Sequence, residues 1–316
     1  MRKKRISSVI LLIAVALFLL AFPCRGETQP TINVNCDQGQ KIGTAIINAG
    51  EGYTIYVTGT CNETIEIWWA RPGIKLIGLK DGSGNPAVIN GQNIPIQVVS
   101  VGAENITISG FKITQGKMGV ALYKGASAMI YGNTIEGTEG HGIVLLDTAT
   151  ARIFNNRIQY NSGDGIFVTN SSSARIGFDS QTDTDPKPNW IEHNNGNGIS
   201  IANSSSAQIV GNTVSENAGD GIKVARVSQA DISDNIINLN NGNGIFVTQN
   251  SGANLGNDTG NTIFDRPNTT TIENGAFGLK GTIGGYADGW LGTLDGLKGR
   301  VFFDLRSINS TRPWLW

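Results

Sequence analysis

A dipeptide Gly-(Ile/Val) returns at Gly119-Val120, Gly142-Ile143, Gly165-Ile166, Gly198-Ile199, Gly221-Ile222 and Gly244-Ile245, in steps of 23, 23, 33, 23 and 23 residues. A fixed period of this length allows few architectures, because each unit must bury its apolar face on the next. Two residues after each Ile/Val stands another aliphatic: Leu122, Leu145, Val168, Ile201, Val224 and Val247. That alternation marks a strand with one buried face. Two further aliphatic columns keep the beat, one from Ile130 through Ile153, Ile176, Ile209 and Ile232 to Leu255, the other at Ile135, Ile158, Ile191, Val214 and Ile237. Between them runs Asn133, Asn156, Asn189, Asn212 and Asn235. Each unit is therefore read as three short strands, the second and third separated by a tight Asn corner. Asn tolerates the left-handed conformation expected there, and its amide can bond a stacked neighbour. No 3.6-residue apolar pattern interrupts the coils, and the leucine spacing of leucine-rich repeats is absent. The expectation is an all-β parallel solenoid rising by one strand spacing, about 4.8 Å, per coil.

The motifs Gly-Asp-Gly-Ile at 163–166 and 219–222, Gly-Asn-Gly-Ile at 196–199 and 242–245, and the Gly-Asn-Thr-(Ile/Val) corners at 132–135 and 211–214 resemble the right-handed parallel β-helix proteins of the pectate-lyase-like superfamily. The likeness covers roughly residues 50–280 and implies a right-handed coil. That superfamily holds pectate lyases, polygalacturonases, alginate epimerases and periplasmic maturation factors, so it implies a fold and no single activity.

Arg2, Lys3, Lys4 and Arg5 precede an apolar run from Val9 to Phe22. The run is shorter than the roughly 20 residues of a membrane span, and it fits a secretory signal, 1–26, cleaved before Glu27. Lipidation of Cys24, or an uncleaved anchor, are the rival readings. Cleavage lowers the 24 basic residues by five to 19, against 25 acidic ones, a net charge of −6. No basic stripe marks a nucleic-acid partner, and the mature chain needs no membrane span. The expected location is periplasmic, extracellular or cell-surface. Cys36 and Cys61 are the two cysteines left, and in an oxidising compartment they are expected to form a disulfide. Residues 27–52 are read as an N-terminal cap with a helix at 40–49, 53–280 as the β-helix, and 281–316, rich in Trp, Leu and Phe, as an apolar C-terminal cap. The one long step places a ten-residue insertion between Ile176 and Ile191. Its Asp179, Asp183 and Asp185 could hold calcium, but their spacing matches no known loop, and a solvated acidic loop is favoured. A second loop is expected between Leu255 and Ile272. No cofactor is implied.

In the carbohydrate-active proteins of this superfamily, the outer face of the Gly-Ile strand usually carries the substrate. Here its columns read Ala121, Val144, Phe167, Ser200, Lys223, Phe246 and Tyr123, Leu146, Thr169, Ala202, Ala225, Thr248, without a carboxylate. Glycoside hydrolysis needs two carboxyl groups, and eliminations or epimerisations need a base and a group that neutralises the uronate. The polar column before each Gly-Ile runs His141, Asp164, Asn197, Asp220, Asn243. His141 and Asp164 are its catalytic candidates, and Gly140-His141-Gly142 is similar to a polygalacturonase motif. The acidic pair and the Arg-x-Lys of that family have no counterpart here, so a hydrogen-bonded turn ladder is favoured for the column. Tyr123, Phe167, Lys223 and Phe246 are the binding candidates, because aromatic faces stack on sugars and a lysine pairs with acidic groups. The leading reading is an exported, non-catalytic β-helix that binds a polysaccharide or envelope component. The alternatives are a lyase, hydrolase or epimerase acting on an acidic glycan, and a structural or adhesive module.

Overall fold

The computed structural model describes residues 30–179, 187–256 and 267–312. The expected signal segment, with Cys24, lies outside the described residues, as do Asp183 and Asp185. From Thr31 on, the chain forms one compact unit. It is a parallel solenoid. A typical coil runs Ile143–Leu145, Thr150–Phe154, Arg157–Gln159 and then enters the next at Ile166–Val168. Second strands of successive coils make a 12-stranded sheet, and first and third strands share a 16-stranded one. The register follows the repeat: Ile143 pairs with Ile166, Ile153 with Ile176, and Ile158 with Ile191. All four aliphatic columns point inward and are fully buried where the repeat is regular, because period-two alternation puts every second side chain on the core side.

The Asn corner works differently from the expectation. The left-handed residue is the one before the column, as at Gly132, Asn155, Gly211 and Asp234. The column residues are buried and act as a ladder. Asn189 Oδ1 accepts from Asn156 N and from Asn156 Nδ2, both at 3.0 Å, and its own Nδ2 donates to Ile153 O and Asn212 Oδ1. A second buried ladder escaped the sequence reading: Asn161, Asn194, Asn217, Asn240 and Asn274 repeat the same bonds at the turn before each Gly-Ile strand. The glycines beside it permit close approach. A Cβ on Gly165 would lie 2.5 Å from Ile191 Cγ2 and 2.8 Å from Gly198 O.

The ends depart from the expected boundaries. Thr31–Asn35 is already a strand, paired in register with Thr54–Thr58, so the ladder begins ahead of residue 53. Its five residues were too short to show a periodicity. The helix spans Ile42–Asn48 and buries Ile42, Ala45 and Ile46. Lys41 offers its N-terminus no side-chain cap. Glu63 does so from the bend that follows Thr60–Asn62, accepting from Ile42 N at 2.8 Å and Gly43 N at 3.1 Å, which meets donors the helix cannot satisfy itself. Cys36 and Cys61 form a disulfide, with Cα atoms 5.0 Å apart; Cys61 sits in the strand Thr60–Asn62. At the other end, the segment read as breaking the repeat carries on the parallel pairing. Phe277–Thr282 pairs with Gly299–Phe303, and Tyr286–Trp290 with Ile308–Arg312.

Candidate functional site

The Gly-Ile strands set the outer face on which the binding candidates stand. Ala121, Val144 and Ser200 are buried there, while Phe167, Lys223 and Phe246 are half-exposed. Registers of the last coils extend the column beyond the sequence reading: Lys223 pairs with Phe246, Phe246 with Lys280, and Lys280 with Phe302. Lysine and phenylalanine therefore alternate over four consecutive strands. Lys223 Nζ lies 5.5 Å from the Phe246 ring centre, and Lys280 Nζ lies 5.2 Å from it and 6.0 Å from that of Phe302. Phe277 stacks on Phe302 at 5.2 Å. These are cation–π distances. Neither lysine forms an ion pair among the described residues. Lys280 and Phe302 were missed because the step from Phe246 to Lys280 is 34 residues, and the Gly-Ile dipeptide is replaced there by Gly278-Leu279.

The remaining candidates lie apart from this ladder. Phe167 stands two strands before Lys223 and packs against His141, ring centres 4.9 Å apart. Tyr123, half-buried, lies further along the solenoid with Lys124 Nζ 5.9 Å from its ring. His141 Nδ1 accepts from Asp164 N at 2.9 Å, which leaves Nε2 for the proton. In the same way Asp164 Oδ1 accepts from Asn197 N, Asn197 Oδ1 from Asp220 N, Asp220 Oδ1 from Asn243 N, and Asn243 Oδ1 from Phe277 N. Each side chain in the column caps the backbone of the next coil. The Asp164 carboxylate comes within 3.7 Å of the same imidazole nitrogen, but that nitrogen is already an acceptor. Asp179, the member of the calcium trio among the described residues, pairs with Arg152 at 3.5 Å and Lys187 at 3.9 Å. The sulfurs of Cys36 and Cys61 approach Glu63, yet as a disulfide they offer no thiolate to a metal.

A second concave surface lies on the other sheet. The outer face of the 12-stranded sheet carries a groove of about 820 Å³, running from Ile106 to Asp231 and lined by Arg152 and Arg175. Sequence reasoning passed over it. The signal was the outward column Met129, Arg152, Arg175, Gln208, Asp231, one residue before each buried Ile.

A parallel solenoid with stacked polar ladders defines a class of β-helical protein. The family model described as "Right handed beta helix region" matches residues 30–184 and 173–279, and the chain belongs to that family. Among solved structures, an alginate lyase from Paenibacillus sp. str. FPU-7 is 16% identical with a TM-score of 0.52, over 90% of this chain and 99% of that one. The A-module of the mannuronan C-5 epimerase AlgE6 of Azotobacter vinelandii is 14% identical at 0.50, over 90% and 100%. The enzymatically active domain of tailspike protein 2 of bacteriophage CBA120 is 11% identical at 0.55, over 89% of this chain and 43% of that one. At such identities the likeness is one of fold. No curated protein matches the chain.

Proposed function

We propose that this is an exported β-helix protein that binds an acidic polysaccharide along the Lys223–Phe246–Lys280–Phe302 ladder without cutting it. The observation that carries the reading is the in-register alternation of cation and ring over four strands. A glycan lying along the solenoid would meet an apolar platform and a positive charge on alternate strands, each about 4.8 Å further on. The rings hold the ammonium groups in place, which lowers the ordering cost of binding. The disulfide supports export, since such bonds persist in oxidising compartments. The polar column supports the non-catalytic part, because each of its side chains uses an acceptor to cap the next coil and, among the described residues, the outward positions of the Gly-Ile strands carry no carboxylate. Two of the fold relatives are named for alginate and mannuronan, which makes alginate the first probe to try.

The test is migration of the mature protein, from Glu27, in native gels containing alginate. Retention that weakens with salt is expected. Each ladder ring is worth about 0.5–1 kcal/mol per cation it holds, so Phe246→Ala should weaken binding several-fold, and Lys223→Ala and Lys280→Ala should flatten the salt dependence. Absence of retention, or its survival through all three changes, would remove the ladder as a site. Cleavage of the alginate, abolished by His141→Ala, would replace binding by catalysis.

A further inference from the structure

We infer that the groove on the 12-stranded sheet is a second, independent site for a polyuronate chain, so that one molecule holds two glycan chains on two faces. The inference builds on the ladder reading and adds a face to it. Its first support is shape: the groove spans the strands from Ile106–Ser109 to Gln229–Ser233, about 24 Å at one strand spacing each, which suits a linear chain. Its second support is charge. Arg152 and Arg175 are register neighbours, and like charges this close repel one another unless an anion lies between or beside them. Asp179 meets Arg152 at 3.5 Å. The Arg175 guanidinium forms no hydrogen bond or ion pair among the described residues, although it is only half-exposed. A planar fork held on a sheet without a partner fits a carboxylate bidentately. The third support is the row beside it. Ser127, Thr150, Ser173 and Ser206 stack in register and offer hydroxyls at the same spacing as the strands, as sugar hydroxyls require. Asp231 is the acid at the far end, so a chain carrying a carboxylate on every sugar would lie over the Arg152 and Arg175 strands and stop short of Asp231.

The ladder and the groove stand on the outer faces of different sheets, so neither chain would block the other. The assay is a sandwich. Biotinylated alginate oligosaccharide on a surface captures the mature protein, and fluorescent alginate oligosaccharide is then offered to the bound protein. The wild type should recruit the second chain. Arg175→Ala should still bind the first chain but lose about tenfold or more in recruitment, with little change in thermal stability, since the Arg175 guanidinium has no hydrogen bond or ion pair to lose among the described residues. Arg175→Lys should lose less, keeping the charge without the fork. Phe246→Ala with Lys280→Ala should also lose recruitment, through the other face. Recruitment unaffected by Arg175→Ala, as a simple dimer of ladder sites would give, overturns the second site. Binding of the first chain without any recruitment by the wild type overturns it too, while leaving the ladder standing; no binding at all removes both.

Discussion

Replacing Asn189 by Ala tests what the buried amide ladder contributes. Asn189 is 0% exposed. Its removal takes away four bonds, but several partners have others. Asn156 Nδ2 still donates to Ile130 O and Phe154 O, and Asn212 Oδ1 still accepts from Asn189 N. What is stranded is Asn156 N, whose acceptor was Asn189 Oδ1; Ile153 O loses the bond from Asn189 Nδ2 but still accepts from Gly177 N at 2.8 Å. A buried group left without its partner costs about 1–3 kcal/mol, so the loss at Asn156 N gives about that much before any cavity term. Asn189→Asp adds a sharper sign. It keeps an acceptor for Asn156 N but turns oxygen toward Ile153 O and Asn212 Oδ1, which only a protonated carboxyl can satisfy. Its folded pKa must then lie above its unfolded value. Relative to wild type, this variant is most stable below the unfolded carboxylate range and loses stability as pH rises through the folded value. The assay is urea unfolding followed by circular dichroism across pH, with the denaturant slope compared between variants because solenoids can lose two-state behaviour. A cost below about 1 kcal/mol for the Ala change at unchanged slope, or an Asp variant indifferent to pH, would refute the ladder argument.

The remaining predictions concern facing, covalent closure and charge. Ile166 is fully buried and Phe167 half-exposed. Ile166→Ala should cost about 2–5 kcal/mol, and Phe167→Ala about 1 kcal/mol through its packing on His141; equal costs in urea unfolding would mean that the facing is wrong. Non-reducing peptide mapping should recover Cys36 linked to Cys61, and breaking this 25-residue closure with Cys61→Ser should destabilise by about 3 kcal/mol in the chain-entropy model. Glu136 has its pKa lowered: burial opposes its charge, but hydrogen bonds from Lys112 and Gln159 and the charges of Lys112 and Arg157 outweigh that. Its contribution is therefore complete above the ordinary value of 4.5 and lost as pH falls through the lower folded value. Glu136→Gln should make acid unfolding in that window shallower, and an unchanged acid limb would show that the pair with Lys112 at 2.7 Å contributes nothing.

The solenoid was legible because it is written as a period. Burial on one side of a strand repeats every two residues and stacking repeats every 23, so Ile143, Ile166 and Ile199 could be placed before any coordinates. The disulfide was legible from chemistry, two cysteines in a chain expected to be exported. Part of what stayed hidden kept the same beat, with Asn161, Asn194, Asn217 and Asn240 at steps of 33, 23 and 23, and part of it broke that beat. The second Asn ladder sits in turns where Asn is common for many reasons, and its members, Asn161 and Asn194 among them, read as ordinary turn residues. The left-handed residue of each corner changes type, from Gly132 to Asn155 to Asp234, so no column marked it. The C-terminal coils replace Gly-Ile by Gly278-Leu279 and change the step, which hid Lys280 and Phe302 and made continuing strands look like an end. The groove lies off the expected face: Arg152 and Arg175 stand on the second strand of each coil, whereas the resemblance points to the Gly-Ile strand.

Lysine footprinting of the mature protein with and without alginate oligosaccharide tests the central claim most directly. The protein would be acetylated briefly and each lysine read by mass spectrometry. If the glycan lies on the ladder, Lys223 and Lys280 should fall several-fold in modification, while the exposed Lys41, Lys80 and Lys298 keep their rates. Equal protection of all lysines, or none at Lys223 and Lys280 under conditions where the oligosaccharide is bound, would contradict it.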